Sequence, residues 1–240
     1  MKNFKLNAIV LSALLILSGC NVNNTTKGGI IGGTGGAALG AIVGQLIGKD
    51  GKSTAIGAAI GTAVGTTAGV LIGKKMDKAK AAAEAVANAQ VTEITDANGL
   101  KAVQVTFDSG ILFTTGSATL SATAKNSLSQ FATQVLIPNP DMDVAIQGHT
   151  DNTGFKGVKS ADENAARNQQ LSLNRANAVS TYLRSIGVQA SQIKAVEGLG
   201  QSAPVADNST PAGKALNRRV EVFIYASQEM IDAANAGTLQ

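Results

Sequence analysis

The sequence predicts an α+β fold, a β/α/β/α/β sandwich with helices covering one face of a sheet, preceded by a pair of glycine-patterned helices. Three observations carry this expectation. Residues 28–73 are almost entirely Gly, Ala, Ile, Val, Leu and Thr, whereas residues 91–226 have the mixed composition of a soluble domain. Within the first stretch glycine recurs at every fourth position. Within the second, short alternating runs interchange with longer runs of helical period.

The chain opens with Lys2 and Lys5, followed by an apolar core over Ala8–Leu17. This is the pattern of a signal peptide, here 1–19, and it is shorter than the roughly 20 apolar residues of a spanning helix. It ends in Leu17-Ser18-Gly19-Cys20, which resembles the lipobox of bacterial lipoproteins. That resemblance implies cleavage before Cys20 and acylation of its thiol. Cys20 is the chain's single cysteine, and a free thiol in a secreted protein would be a liability. By the sorting rule of such lipoproteins, Asn21 rather than Asp points to the outer membrane, on its periplasmic face. Residues 20–27 would form the lipidated start and a linker.

Gly32, Gly36, Gly40, Gly44 and Gly48 make one array, and Gly57, Gly61, Gly65, Gly69 and Gly73 a second. Four-residue spacing puts each set near one helix face, where another backbone can approach closely. Each glycine costs a helix in water roughly 1 kcal/mol relative to alanine, so the segment needs packing or lipid. Lys49-Asp50-Gly51-Lys52-Ser53 supplies a polar turn between the arrays, and Lys27, Lys74 and Lys75 flank them. The expectation is a glycine-zipper hairpin over 28–73, able to enter a membrane or drive a homo-oligomer. A flexible Gly/Ala linker is the plainer alternative. Residues 74–90 read as an alanine-rich helical spacer.

In the C-terminal half, Val91–Thr95 and Lys101–Phe107 alternate across Asn98-Gly99, a hairpin signal. Ser121 caps a helix running to about Leu136, with Leu128, Phe131 and Val135 on its buried side. Asp143–Gln147 is a strand. Asn168 opens a second helix through Ile186, with Leu171, Val179, Leu183 and Ile186 as its stripe and Gly187 as its stop. Ile193–Gly198 and Arg219–Tyr225 complete the sheet, and 227–240 form a tail.

Removal of 1–19 leaves 18 basic residues against 16 acidic, since two of the 20 Lys and Arg precede Cys20. With no basic run interleaved with aromatics, nucleic acid is not an expected partner. One histidine and one cysteine build neither a metal cluster nor a nucleophilic site, so neither enzyme activity nor a cofactor is expected.

Several motifs carry a family resemblance. Gly148-His149-Thr150-Asp151-Asn152-Thr153-Gly154 is one, and Asn168-x-x-Leu171-Ser172-x-x-Arg175-Ala176-x-x-Val179 another. They resemble the OmpA-like C-terminal domain, also found in the peptidoglycan-associated lipoprotein and in MotB. Phe113-x-x-Gly116-Ser117-Ala118-x-Leu120, Gly198-x-Gly200, Pro204 and Asn217-Arg218-Arg219-Val220-Glu221 follow the same pattern in order, over roughly 105–225. With the lipobox and the glycine zipper, the chain resembles the YiaD-type lipoproteins.

The resemblance implies non-covalent capture of peptidoglycan at the diaminopimelate of its stem peptide, tethering the outer membrane to the wall. Asp151 would meet the ammonium and Arg175 the carboxylate, a geometry suited to a planar guanidinium. Thr150 and Asn152 would flank the site with backbone donors, and Asn168 would be a further ligand-binding residue. Read alone, Asp151 is also a good turn residue and Arg175 a solvated helix charge. His149 reads as a packing residue, and Arg218 and Arg219 as ties between the last strand and the helices. Phe155–Arg167 is longer than the family's usual connection, and a lid, added contacts and a solvent bulge are equally open. The competing function is an oligomeric or pore-forming role for the glycine zipper, with wall binding as an accessory.

Overall fold

A computed structural model of the chain describes residues 66–95, 100–114 and 116–239. The expected signal peptide, Cys20, the first glycine array, most of the second and the Asn98-Gly99 turn lie outside the described residues.

The first element, α1 (Thr66–Glu84), crosses the boundary expected between zipper and spacer. Its buried face is Ala68, Ile72, Met76, Ala79 and Ala83, a three-and-four spacing that runs through residue 73 without a break. These side chains join the main core of the following domain, and Lys75 bonds Asp141 at 2.7 Å while Lys101 bonds Asp77 at 2.7 Å. Residues 66–84 are therefore a helix docked on the domain that follows. The last two zipper glycines, Gly69 and Gly73, stand beside the buried stripe rather than on it.

β1 (Ala89–Thr95) and β2 (Lys101–Asp108) pair antiparallel from Ala89 opposite Phe107 to Thr95 opposite Lys101. A single turn, α2 (Ser109–Leu112), is capped by Asp108, whose side chain accepts from the Gly110 amide. α3 (Ala122–Phe131) starts at Ser121, which accepts from the Ala124 amide, and continues as a π turn over Ala132–Leu136. Leu128, Phe131 and Val135 are buried as the period requires, and Phe131 meets Phe107 edge-on at 5.7 Å.

β3 (Met142–His149), α4 (Ala161–Ser185) and β4 (Ile193–Gly200) form a crossover with β3 and β4 parallel. α5 (Pro211–Asn217) leads into β5 (Arg219–Ala226), and α6 (Gln228–Asn235) closes the chain. β5 lies between β2 and β3, antiparallel to both, giving the sheet order β1-β2-β5-β3-β4. The main core joins Val105, Phe107, Ile146, Val222 and Ile224 of the sheet to α1, α3, α4 and α6. Phe223 and Tyr225 alternate onto the other face with Ile94, Ala102 and Ala145. Among the described residues no helix is long and apolar enough to cross a membrane.

Two further expectations need correction. α4 begins at Ala161, capped by Ser160, seven residues before Asn168. Asp162 and Glu163 in its first turn complement the helix dipole. The expected C-terminal tail contains α6, which Ser227 caps and which buries Met230, Ile231 and Ala234. Its apolar residues recur at three- and four-residue spacing, so it too has a face to bury.

Candidate functional site

The site lies where the C-terminal ends of β3 and β4 meet the N-terminal half of α4. Glycines bring them together. A Cβ built on Gly148 would overlap the Ser172 backbone oxygen. One on Gly198 would overlap the Leu173 nitrogen and stand 2.7 Å from the Gln169 oxygen. Only glycine lets the helix backbone approach so closely, and polar bonds then fix it. Ser172 Oγ donates to the Gln169 carbonyl at 2.7 Å and accepts the Gly200 amide at 2.8 Å. Gln169 Nε2 donates to the Gly198 carbonyl.

This contact turns the buried stripe of α4 polar at its start. Asn168, Ser172 and Arg175 precede Ala176, Val179 and Leu183 on the same face, whereas Leu171, expected in the stripe, is half-buried. Asp151 follows β3 and is 5% exposed; Arg175 is 4% exposed. Both are charged groups taken largely out of water, a costly placement that usually accompanies pairing or function.

Asp151 and Arg175 do not form an ion pair with each other. One oxygen of Asp151 accepts the Thr153 amide at 2.8 Å, the turn bond expected of an aspartate there, and the other takes Arg218 Nη1 at 2.5 Å. Burial pushes the Asp151 carboxyl up, but Arg218 and the Thr153 donors outweigh it and hold the group below its usual range. Arg175 donates from Nε to the Ser117 carbonyl at 3.0 Å and lies 5.2 Å from the centre of the Phe113 ring. Burial, and then the neighbouring Arg218, lower its pKa, and the charge of Asp151 raises it. It remains a cation. The three charges thus share one neighbourhood, with Lys214 donating to Thr153 Oγ1 at 3.3 Å beside them.

The other expected site residues divide. Asn168 is buried and donates to the Thr153 carbonyl and to Gln201 Oε1, each at 3.2 Å, so it holds the Asp151 loop. Thr150 does not offer its backbone donor, because its amide is bonded to the Gly200 carbonyl at 2.9 Å. Its buried hydroxyl, in contrast, has no partner among the described residues. Asn152 is exposed. The long connection is tied down from within: Asn164 accepts the Phe155 amide at 2.7 Å and donates to the Ser160 carbonyl at 3.0 Å. Arg167 pairs with Glu163 at 2.8 Å and lies 6.0 Å from the Phe155 ring centre.

Arg218 and Arg219 both read from the sequence as structural ties, and here the two separate. Arg219 starts the alternation of β5 and is buried, bonding Glu221 at 2.7 Å and the Ala203 carbonyl at 3.3 Å. His149 Nε2 meets the same carboxylate at 3.2 Å, leaving Nδ1 without a partner among the described residues. Burial pushes Glu221 up, yet the His149 hydrogen bond and Arg219 overcome it and bring the group to about 2. Arg218, one residue earlier at the end of α5, faces Asp151 instead.

Residues 112–218 match the OmpA family, and residues 1–77 match the YMGG-like Gly-zipper family. The outer-membrane lipoprotein YfiB of Pseudomonas aeruginosa is 39% identical over 118 residues, covering 49% of this chain and 64% of that protein. The probable lipoprotein YiaD of Escherichia coli is 41% identical over 120 residues, covering 50% of this chain and 47% of that protein. The peptidoglycan-binding protein ArfA of Mycobacterium tuberculosis is 45% identical over 85 residues, 35% of this chain and 23% of that one. The matches therefore span less than two thirds of these relatives. The crystal structure of a MotB-like protein from Desulfovibrio vulgaris superposes with a TM-score of 0.52 at 20% identity, over 67% of this chain and 92% of that chain. The two share a fold. The stretch that matches the OmpA family, 112–218, contains Asp151, Arg175 and Arg218, and the stretch that matches the YMGG-like Gly-zipper family, 1–77, precedes it.

Proposed function

We propose that this chain is an outer-membrane lipoprotein, anchored through acylated Cys20, that tethers the membrane by binding peptidoglycan at a diaminopimelate residue. The observation that carries the reading is the pair of buried, opposite charges, Asp151 and Arg175, that share a neighbourhood without bonding to each other. A ligand end bearing both an ammonium and a carboxylate satisfies both at once. Diaminopimelate within a stem peptide has such an end.

The Nε of Arg175 is committed to Ser117, so the two terminal nitrogens form the edge that would clasp the carboxylate. Asp151 would accept the ammonium. Both side chains are already desolvated, so little of that cost remains to be met at the moment of binding. The names of the relatives, a lipoprotein of the outer membrane and a peptidoglycan-binding protein, agree with this chemistry.

The test is co-sedimentation of the full mature chain with purified sacculi, with free diaminopimelate as competitor. The reading expects pelleting that the competitor reverses. Pelleting indifferent to diaminopimelate, or none, would contradict it. Cys20→Ala, followed by membrane fractionation, tests the anchor separately.

A further inference from the structure

The charges around Asp151 do not balance. Asp151 contributes one negative charge against Arg175 and Arg218, with Lys214 adding a further cation at the rim. A ligand end with one ammonium and one carboxylate is neutral overall and leaves that excess standing. It also brings its ammonium to a carboxylate whose second oxygen Arg218 already holds.

The two arginines differ in freedom. Arg175 is buried, bonded to Ser117 and set beside Phe113. Apart from its bond to Asp151, Arg218 is held only through its backbone, where its amide donates to the Lys214 carbonyl at 3.1 Å and its carbonyl accepts the Ser109 amide at 3.0 Å. Its side chain is 38% exposed. An arriving ammonium would repel it, and it alone can swing aside, still within reach of the bound ligand.

Building on the diaminopimelate reading, we propose that Arg218 is a third contact of the site. It yields Asp151 to the ligand's ammonium and takes a second ligand carboxylate, so the pocket selects ends bearing one ammonium and two carboxylates. The bound cluster of Asp151, Arg175 and Arg218 is then neutral. In a stem peptide the second carboxylate has two sources: the main-chain carboxyl of a terminal diaminopimelate, or the α-carboxyl of the preceding γ-linked glutamate.

The test is calorimetric titration of the full chain in detergent with the tripeptide L-Ala-γ-D-Glu-diaminopimelate and two derivatives. One is amidated at the terminal carboxyl and the other at the glutamate α-carboxyl. The wild type should lose about tenfold or more in affinity for one derivative, the size of a lost charge-assisted bond, and the affected derivative identifies the source. Arg218→Gln should weaken the parent tripeptide by a similar factor, after which that amidation costs nothing more. Equal wild-type affinity for all three peptides would overturn the proposal. So would additive losses in Arg218→Gln. A wild type that binds none of the peptides would instead overturn the diaminopimelate reading itself.

Discussion

Replacing Gly198 with alanine should damage binding through the fold, without touching a charged group. The added methyl would stand 2.5 Å from Ser172 Oγ and 2.7 Å from the Gln169 carbonyl, besides overlapping the Leu173 nitrogen. Carbon–oxygen contacts settle near 3.4 Å, so α4 must retreat by about 0.7 Å at Gln169 and further at Leu173. Overpacking of this kind costs typically 1–3 kcal/mol. For a domain of this size that lowers the melting midpoint by about 2–12 °C. The same displacement carries Asn168 and Arg175 away from the Asp151 loop, and misplacement by ~1 Å can cost a preorganised site a hundredfold. Thermal melting by circular dichroism and sacculus co-sedimentation, run on one preparation, read both effects. A variant that melts and pellets like the wild type would refute the claim that close backbone approach at Gly198 sets the site.

Gly73→Ala should act in the opposite direction. Its methyl would make only an ordinary 3.8 Å contact with Lys101, so α1 should gain about 0.5–1 kcal/mol in a denaturant titration. A loss there would mean that the glycine serves a close contact after all. Arg219→Met should strand the buried Glu221 carboxylate and destabilise the domain by about 3–5 kcal/mol; a melting point within 2 °C of wild type would contradict this. Burial raises Asp143 to about 6, against the lowering effect of Lys194. The folded state therefore binds the extra proton between its ordinary pKa near 3.8 and about 6, and stability should fall as pH rises through that window. Asp143→Asn should flatten that part of the profile, and identical profiles would show the carboxyl to be unperturbed.

Local signals made much of this architecture legible. Ser121 announces α3, Gly187 ends the α4 segment with φ 109°, and the hairpin strands pair in the register their alternation implies. The start of α4 was not legible at Asn168, because a buried polar residue there resembles a cap. The true cap, Ser160, is hidden in the longer connection. A boundary at Gly73 follows from the sequence because a glycine period and an apolar period overlap over two turns; among the described residues the apolar period forms the buried face. The motifs single out Asp151 and Arg175, which the fold brings into one neighbourhood, and Asn168, which holds the Asp151 loop. What spacing could not show was which charge pairs with which. Arg218 and Arg219 are adjacent and chemically alike, yet strand alternation sends one to Glu221 and leaves the other for Asp151.

Sacculus binding by Asp151→Ala and Arg175→Ala, compared with the wild type at matched melting point, tests the central claim most directly. Each variant removes one half of a two-point clasp and leaves the opposing ligand charge unpaired in a largely desolvated site. Losses of this kind run to about 2–5 kcal/mol, at least thirtyfold in affinity. Arg175→Lys should recover little, because an ammonium cannot form the fork that the two free guanidinium nitrogens offer. The account predicts folded variants that stay in the supernatant while the wild type pellets. Variants that fold and pellet as the wild type does would contradict it.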